Sequence, residues 1–161
     1  MTTQQIDLKT RLTYALHEDC PTGDITSTTF IPESRTATAT ITAKEPGIFV
    51  GKTVITTLCE LESTHCQFNT QDGDYVTPGQ IVITLTGTAH SLLKIERVLL
   101  NLVQHLSGIA TLTHHFVTTL NDPKIQILDT RKTTPLWRDL EKQAVVAGGG
   151  HNHRHSLSDM I

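Results

Sequence analysis

The side chains able to do chemistry concentrate in two short cationic segments late in the chain. The first is Asp129-Thr130-Arg131-Lys132-Thr133-Thr134, an adjacent arginine and lysine among three threonine hydroxyls. A guanidinium presents a fork of N–H donors and an ammonium a compact point charge, so the pair suits carboxylate or phosphate oxygens. Read structurally, the same segment is a solvated basic loop. The second is His151-Asn152-His153-Arg154-His155, directly after Gly148-Gly149-Gly150. Arg131-Lys132 and His153-Arg154 stand 22 residues apart. That is one strand-helix repeat, which would set the two segments in neighbouring loops around a polyanionic small molecule. Histidines at alternate positions also invite zinc, because an extended segment puts all three on one face; a zinc site needs further carboxylate or histidine ligands. A third candidate, Arg97, lies beside Glu96, with Asn101 and Gln104 four and seven residues on. As structure alone it would form a surface ion pair worth about 0–1 kcal/mol.

The elements that must position these groups have to fit into 161 residues, room for one domain or for a small domain and part of another, but not for a complete large barrel. A net charge of −3, with 18% charged and 4% aromatic residues, excludes a basic nucleic-acid binder and a charge-dominated disordered tail. The balance is uneven. Residues 1–123 carry seven basic and twelve acidic side chains, whereas 124–161 carry six and four, together with three of the nine histidines. An anion site is therefore expected late. Cys20, Cys59 and Cys66 are odd in number and include no CxxC pair, which predicts free thiols and a reducing, cytoplasmic compartment. Met1 to Arg11 lacks the apolar core of a signal peptide, and no run of about 18 apolar residues occurs.

Periodicity predicts a helix over 6–16, an ordered loop over 18–27, a strand over 36–43 with alternating threonines, and a short strand at 48–50. A helix is predicted over 54–61, two glycine turns around 72–80, and a strand over 81–87. Turn, strand and turn resemble the lipoyl and biotinyl carrier modules, but a carrier displays a lysine and none occurs between Thr53 and Leu93. From Leu92 to Leu120 an apolar stripe runs over 29 residues, about 43 Å of helix at ~1.5 Å per residue. It is predicted to bridge two modules, bend at Ser107-Gly108 and end at Asn121-Asp122-Pro123. A strand over 124–129, a basic loop over 130–135 and a helix over 136–147, stopped by the glycines, complete one parallel α/β unit. The fold class expected is α/β.

The motifs taken together resemble the quinolinate phosphoribosyltransferases. The resemblance rests on Leu16-His17-Glu18-Asp19 with Gly23-Asp24-Ile25-Thr26-Ser27, Glu96-Arg97 with Leu100-Asn101, Leu106-Ser107-Gly108-Ile109-Ala110-Thr111, Asp129-Thr130-Arg131-Lys132-Thr133, and Gly148-Gly149-Gly150 with Asn152-His153-Arg154. It implies an α+β sandwich amino-terminal domain over 1–106, followed at 107–161 by the start of an open α/β barrel. It further implies a homodimer that transfers phosphoribose from phosphoribosyl pyrophosphate to quinolinate with loss of carbon dioxide, giving nicotinate mononucleotide and pyrophosphate for NAD biosynthesis. By matching motif, Arg131, His153 and Arg154 would hold the quinolinate carboxylates. Lys132 would face the same site and the phosphates, Lys132 and His153 would be catalytic, and Arg97 would enter from a partner subunit. Mg2+ would accompany phosphoribosyl pyrophosphate, with protein ligands beyond Ile161. This chain would then be a truncated form without turnover, its residues 124–161 loose; the alternative is a non-catalytic dimerisation or regulatory module. Two positions depart from the family pattern: Leu136 follows Pro135 where a glycine is usual, and Ser156 stands where a glycine commonly follows the His-Arg pair.

Overall fold

The computed structural model describes residues 6–159. The first five residues and the last two, at the ends of the two expected domains, lie outside the described residues. Ten elements follow one another: α1 (Leu8–Asp19), α2 (Ile25–Phe30), β1 (Thr36–Thr42), β2 (Gly47–Ile48), α3 (Lys52–Leu61), β3 (His65–Phe68), β4 (Tyr75–Val76), β5 (Ile81–Thr88), α4 (Ala89–Leu120) and α5 (Arg138–Ala147). The fold is α/β, and an antiparallel sheet ordered β1-β5-β3 forms its first layer.

β1 pairs with β5 from Thr36↔Thr88 to Ile41↔Ile83, with an irregularity between Ile41 and Thr42. Strand alternation leaves Thr38 and Thr40 of β1 exposed and turns Ala39 and Ile41 toward the core, on the face shared with Ile83 and Leu85 of β5. The core is built by Ile83 and Leu85 of β5, Val54, Ile55 and Leu58 of α3, Leu12 and Leu16 of α1, and Ile95, Leu99 and Leu106 of α4. Of the ordered loop expected at 18–27, residues 20–24 form it and both ends are helical. α1 continues to Asp19, and Asp24 caps α2 by accepting the Ser27 N–H at 3.0 Å, so its carboxylate marks a helix start rather than a turn. The Ser27 hydroxyl and N–H together hold the Asp24 carboxyl below the usual range. β3 was not expected; it pairs with β5 from His65↔Thr86 to Phe68↔Ile83.

α4 continues through Ser107 and Gly108 without interruption, and the bend expected there does not break it. The serine has another use. Its Oγ accepts the Val50 N–H at 3.0 Å, and Thr111 Oγ1 one turn later accepts the Ile48 N–H at 2.8 Å, tying α4 to the edge of β2. α4 ends as expected, with Asn121 in the left-handed conformation at φ 44°. Of the strand expected over 124–129 only a bridge forms, Leu128 lying parallel to His151. α5 starts at Arg138, two residues later than expected, because Leu136 takes φ 70°. Within 124–159, α5 packs on α4 and places Leu140 and Ala144 in the core.

Arg11 staples the two ends of the fold together. Its side chain is 6% exposed, its Nη1 and Nη2 bond Asp139 at 2.7 and 2.6 Å, Nη1 also donates to the Leu136 carbonyl, and the guanidinium lies 5.3 Å from the Trp137 ring centroid. Partial burial would raise the Asp139 carboxyl, but the Arg11 hydrogen bonds and charge hold it below the ordinary value. Leu136 is 63% exposed and left-handed. A side chain in that conformation is strained and here gains little packing. Leu136→Gly is therefore expected to stabilise the protein by about 1 kcal/mol, read as a higher thermal midpoint. An unchanged or lower midpoint would show that the leucine packs against something.

The three cysteines are free. Burial, opposed by a Thr64 hydrogen bond and reinforced by neighbouring Cys66, pushes the Cys59 thiol up to about 11, which leaves it protonated and inert at neutral pH. No described helix is long and apolar enough to cross a membrane.

Candidate anion-binding site

The two cationic segments are brought side by side by a pair of short parallel runs. His151 N–H donates to the Ile127 carbonyl at 2.8 Å and Asp129 N–H to the His151 carbonyl at 3.1 Å, on either side of the Leu128↔His151 bridge. Both runs point the same way, so the loop that starts at Thr130 and the segment that starts at Asn152 leave from the same, carboxyl end. That end is where parallel α/β folds gather their loops.

The first loop is held by its own threonines and by α5. Thr130 Oγ1 accepts the Lys132 N–H at 3.1 Å. Arg138 donates from Nε to Thr133 Oγ1 at 3.0 Å, from Nη2 to the Arg131 carbonyl at 3.5 Å and from Nη1 to the His155 carbonyl at 3.0 Å, so one side chain spans both segments. Thr134 N–H lies 3.3 Å from both carboxylate oxygens of Glu141, which also meets His105 Nε2 of α4 at 2.9 Å.

Beneath both segments lies Asp129. Lys142 Nζ is 2.6 Å from each of its carboxylate oxygens, and Oδ1 accepts the His153 N–H at 2.9 Å. With the Asn152 amide turned so that its nitrogen faces acceptors, it donates to Asp129 Oδ2 at 2.7 Å and to the Lys142 carbonyl at 3.0 Å. Asp129 is thus spoken for, and its negative charge is matched by Lys142 rather than by the cationic loop.

Arg131 and Arg154 are half-buried, Lys132 and His153 exposed. Among the described residues no ion pair engages any of the four side chains. Arg131 Nε is buried and has no hydrogen-bond partner. A buried guanidinium N–H left without an acceptor costs free energy that an anion would recover. Arg97 is not part of this cluster. It is exposed on α4, eight residues before His105, roughly 12 Å along the helix axis. Beside the cluster lies a hollow of about 550 Å³ bordered by Arg11, Thr134, Arg138, His155 and Ser156; the four cationic residues do not border it. The zinc reading of the alternate histidines finds no support, because among the described residues no three His, Cys, Asp or Glu are grouped to hold a metal.

Sequence reasoning missed Lys142, Arg138, Glu141 and His105 as members of this framework. Arg138 carried a weak signal, an arginine two residues after the position expected to be glycine. Lys142 carried none, since a lysine in an amphipathic helix reads as solvated.

An antiparallel sheet covered by helices, followed by a bridge-loop-helix unit whose loops carry cations without ion-pair partners, defines an α/β protein with a candidate anion site. Comparison with known proteins makes this specific. The chain matches the quinolinate phosphoribosyl transferase N-terminal domain over residues 24–107 and the C-terminal domain of the same family over residues 109–161, and it belongs to that family. It is 46% identical over 158 residues, 97% of this chain and 54% of the relative, to a Bacillus subtilis protein named "probable nicotinate-nucleotide pyrophosphorylase [carboxylating]". It is 39% identical over 150 residues, 90% of this chain and 53% of the relative, to the nicotinate-nucleotide pyrophosphorylase [carboxylating] of Mycobacterium leprae. The crystal structure of NadC from Streptococcus pyogenes superposes with a TM-score of 0.89 at 41% identity, covering 94% of this chain and 55% of that one. The chain spans about half the length of the curated relatives it matches.

Proposed function

We propose that the cluster at the carboxyl ends of the paired runs binds quinolinate, and that the chain supplies the pyridine-dicarboxylate half of a site for phosphoribosyl transfer from phosphoribosyl pyrophosphate in NAD biosynthesis. The observation that carries the reading is Arg131, half-buried with a buried Nε that no protein group satisfies, one residue from Lys132 and joined through Asp129 to the segment bearing His153 and Arg154. Arg131, His153 and Arg154 take the two carboxylates. Lys132 faces the phosphates of the second substrate, and Lys132 and His153 act on the reacting groups. Arg97 serves the site of a second copy in a homodimer, since its own chain leaves it apart from the cluster.

The chemistry asks the protein mainly for placement and charge screening. Holding the ring nitrogen beside the anomeric carbon replaces a bimolecular encounter by an oriented one, and fixed cations offset charge as it develops on the leaving pyrophosphate. Once ribosylated, the ring nitrogen is cationic and stabilises the electron pair left on the adjacent ring carbon when the carboxylate departs as carbon dioxide; a proton from solvent then bonds to that carbon, so decarboxylation needs no further electron sink. Mg2+ is proposed to arrive on the pyrophosphate of the substrate; among the described residues none are grouped to ligate it, and no step is assigned to it. Free thiols, one of them buried, accord with a cytoplasmic setting.

The second reading is a non-catalytic dimerisation or regulatory module, which would self-associate without responding to quinolinate. Isothermal titration with quinolinate, with and without phosphoribosyl pyrophosphate, separates the two. Saturable heat with quinolinate is expected. Silence at millimolar quinolinate, together with self-association in sedimentation, would establish the module instead.

A further inference from the structure

Between the two cationic segments sits a buried lysine that the proposed binding does not use. The Lys142 side chain is 1% exposed and its Asp129 partner 5% exposed. Taking an ammonium and a carboxylate out of water costs about what their attraction returns, and an apolar pair of similar volume often stabilises a core equally well. Stability is therefore a poor reason for the pair, and its geometry supplies another. Asp129 is two residues before Arg131. Its Oδ1 receives the N–H of His153, the residue before Arg154, while its Oδ2 receives the amide of Asn152, which also grips the carbonyl of Lys142. One carboxylate, held at both oxygens by one ammonium, is thus the joint between the bases of the two cationic segments.

We propose that Lys142 and Asp129 are positioning residues: their buried pair sets the separation between Arg131-Lys132 and His153-Arg154, so that a rigid dicarboxylate meets both at once. The proposal rests on the quinolinate reading above. Its physical content is that the carboxylate must remain charged to hold the His153 N–H strongly, that the ammonium is what keeps a buried carboxylate charged, and that misplacement of about 1 Å in a site of this kind is costly. Neither residue touches the substrate.

The test uses the full chain, Lys142→Met, and the neutral pair Asp129→Asn with Lys142→Met, the last in case an unpaired buried carboxylate prevents folding of the single variant. Quinolinate affinity is measured by calorimetry, folding by thermal unfolding, and the His153 amide by hydrogen exchange in NMR. The neutral pair is expected to unfold cooperatively, to bind quinolinate at least tenfold more weakly than the unaltered chain, and to exchange its His153 amide at least tenfold faster, while amides in the middle of α4 keep their protection. Affinity and His153 exchange equal to those of the unaltered chain would overturn the proposal. If the unaltered chain binds no quinolinate, the reading of the preceding section fails by itself. The His153 amide then decides the present one: faster exchange confined to 151–154 upholds the joint, and unchanged exchange removes it.

Discussion

Arg131→Ala is expected to weaken quinolinate binding by about 2–5 kcal/mol, roughly 30- to 5,000-fold. The size follows from what the guanidinium lacks in the unliganded chain. Its Nε is buried without an acceptor, and the described hydrogen bonds of the residue to side chains are all at its backbone carbonyl, which receives Arg138 Nη2 and Thr133 Oγ1, each at 3.5 Å. Removing the side chain takes nothing from the framework, so the thermal midpoint should hold. The whole effect should fall on a ligand carboxylate that would otherwise sit desolvated beside the loop. Arg131→Lys should recover only part of the loss, because an ammonium keeps the charge but not the fork. Calorimetry on the three proteins reads the result, and equal affinities would take Arg131 out of the site.

The cationic residues were legible because their chemistry is local: an adjacent Arg-Lys pair and a His-Arg pair one repeat later need no tertiary information to be seen. α4, β1 and β5 were legible for a related reason, since a long apolar stripe and a threonine alternation each match a single period. Four features escaped, each because its surroundings decide it. Residues 124–129 have strand composition, but a strand exists through its neighbour's hydrogen bonds, and only Leu128 has a bridging partner. His65–Phe68 is too short to show a period and is a strand because β5 runs beside it. Asp24 has the same side chain whether it forms a turn or caps a helix. Lys142 is the most instructive failure. At about 100° per residue it lies roughly 200° around α5 from Leu140, whereas Ala144 lies within about 40°. Leu140 and Ala144 join the core shared with α4, and Lys142 faces Asp129 on the other side. α5 is buried on two sides, and a rule that assigns one wet face to every helix must place its lysine wrongly.

Gly148-Gly149-Gly150 read from sequence as a helix stop made of unusual backbone, but only the middle glycine has it, at φ 90°. Gly148 ends α5 with φ −78°, which any residue adopts, so its identity must have another cause. That cause is contact. A Cβ there would lie 2.3 Å from the Ala110 carbonyl oxygen and 2.8 Å from Thr113 Cβ, both on α4. The first of these is backbone and cannot turn aside. Gly148→Ala is accordingly expected to destabilise the protein by about 3 kcal/mol, at the upper end for overpacking, lowering the denaturation midpoint and the protection of α5 amides together. Gly108 supplies the control on the facing helix. It is exposed within α4 with nothing within 4 Å of its missing Cβ, so Gly108→Ala should stabilise by about 0.5–1 kcal/mol through helix propensity alone. The two changes add the same methyl group to neighbouring helices and should move the midpoint in opposite directions. Were residues 124–161 loosely attached, the clash at Gly148 would be relieved by a small displacement of α5 at no cost. A neutral Gly148→Ala beside a stabilising Gly108→Ala would therefore show that the cationic segments stand on a helix that is not anchored to α4.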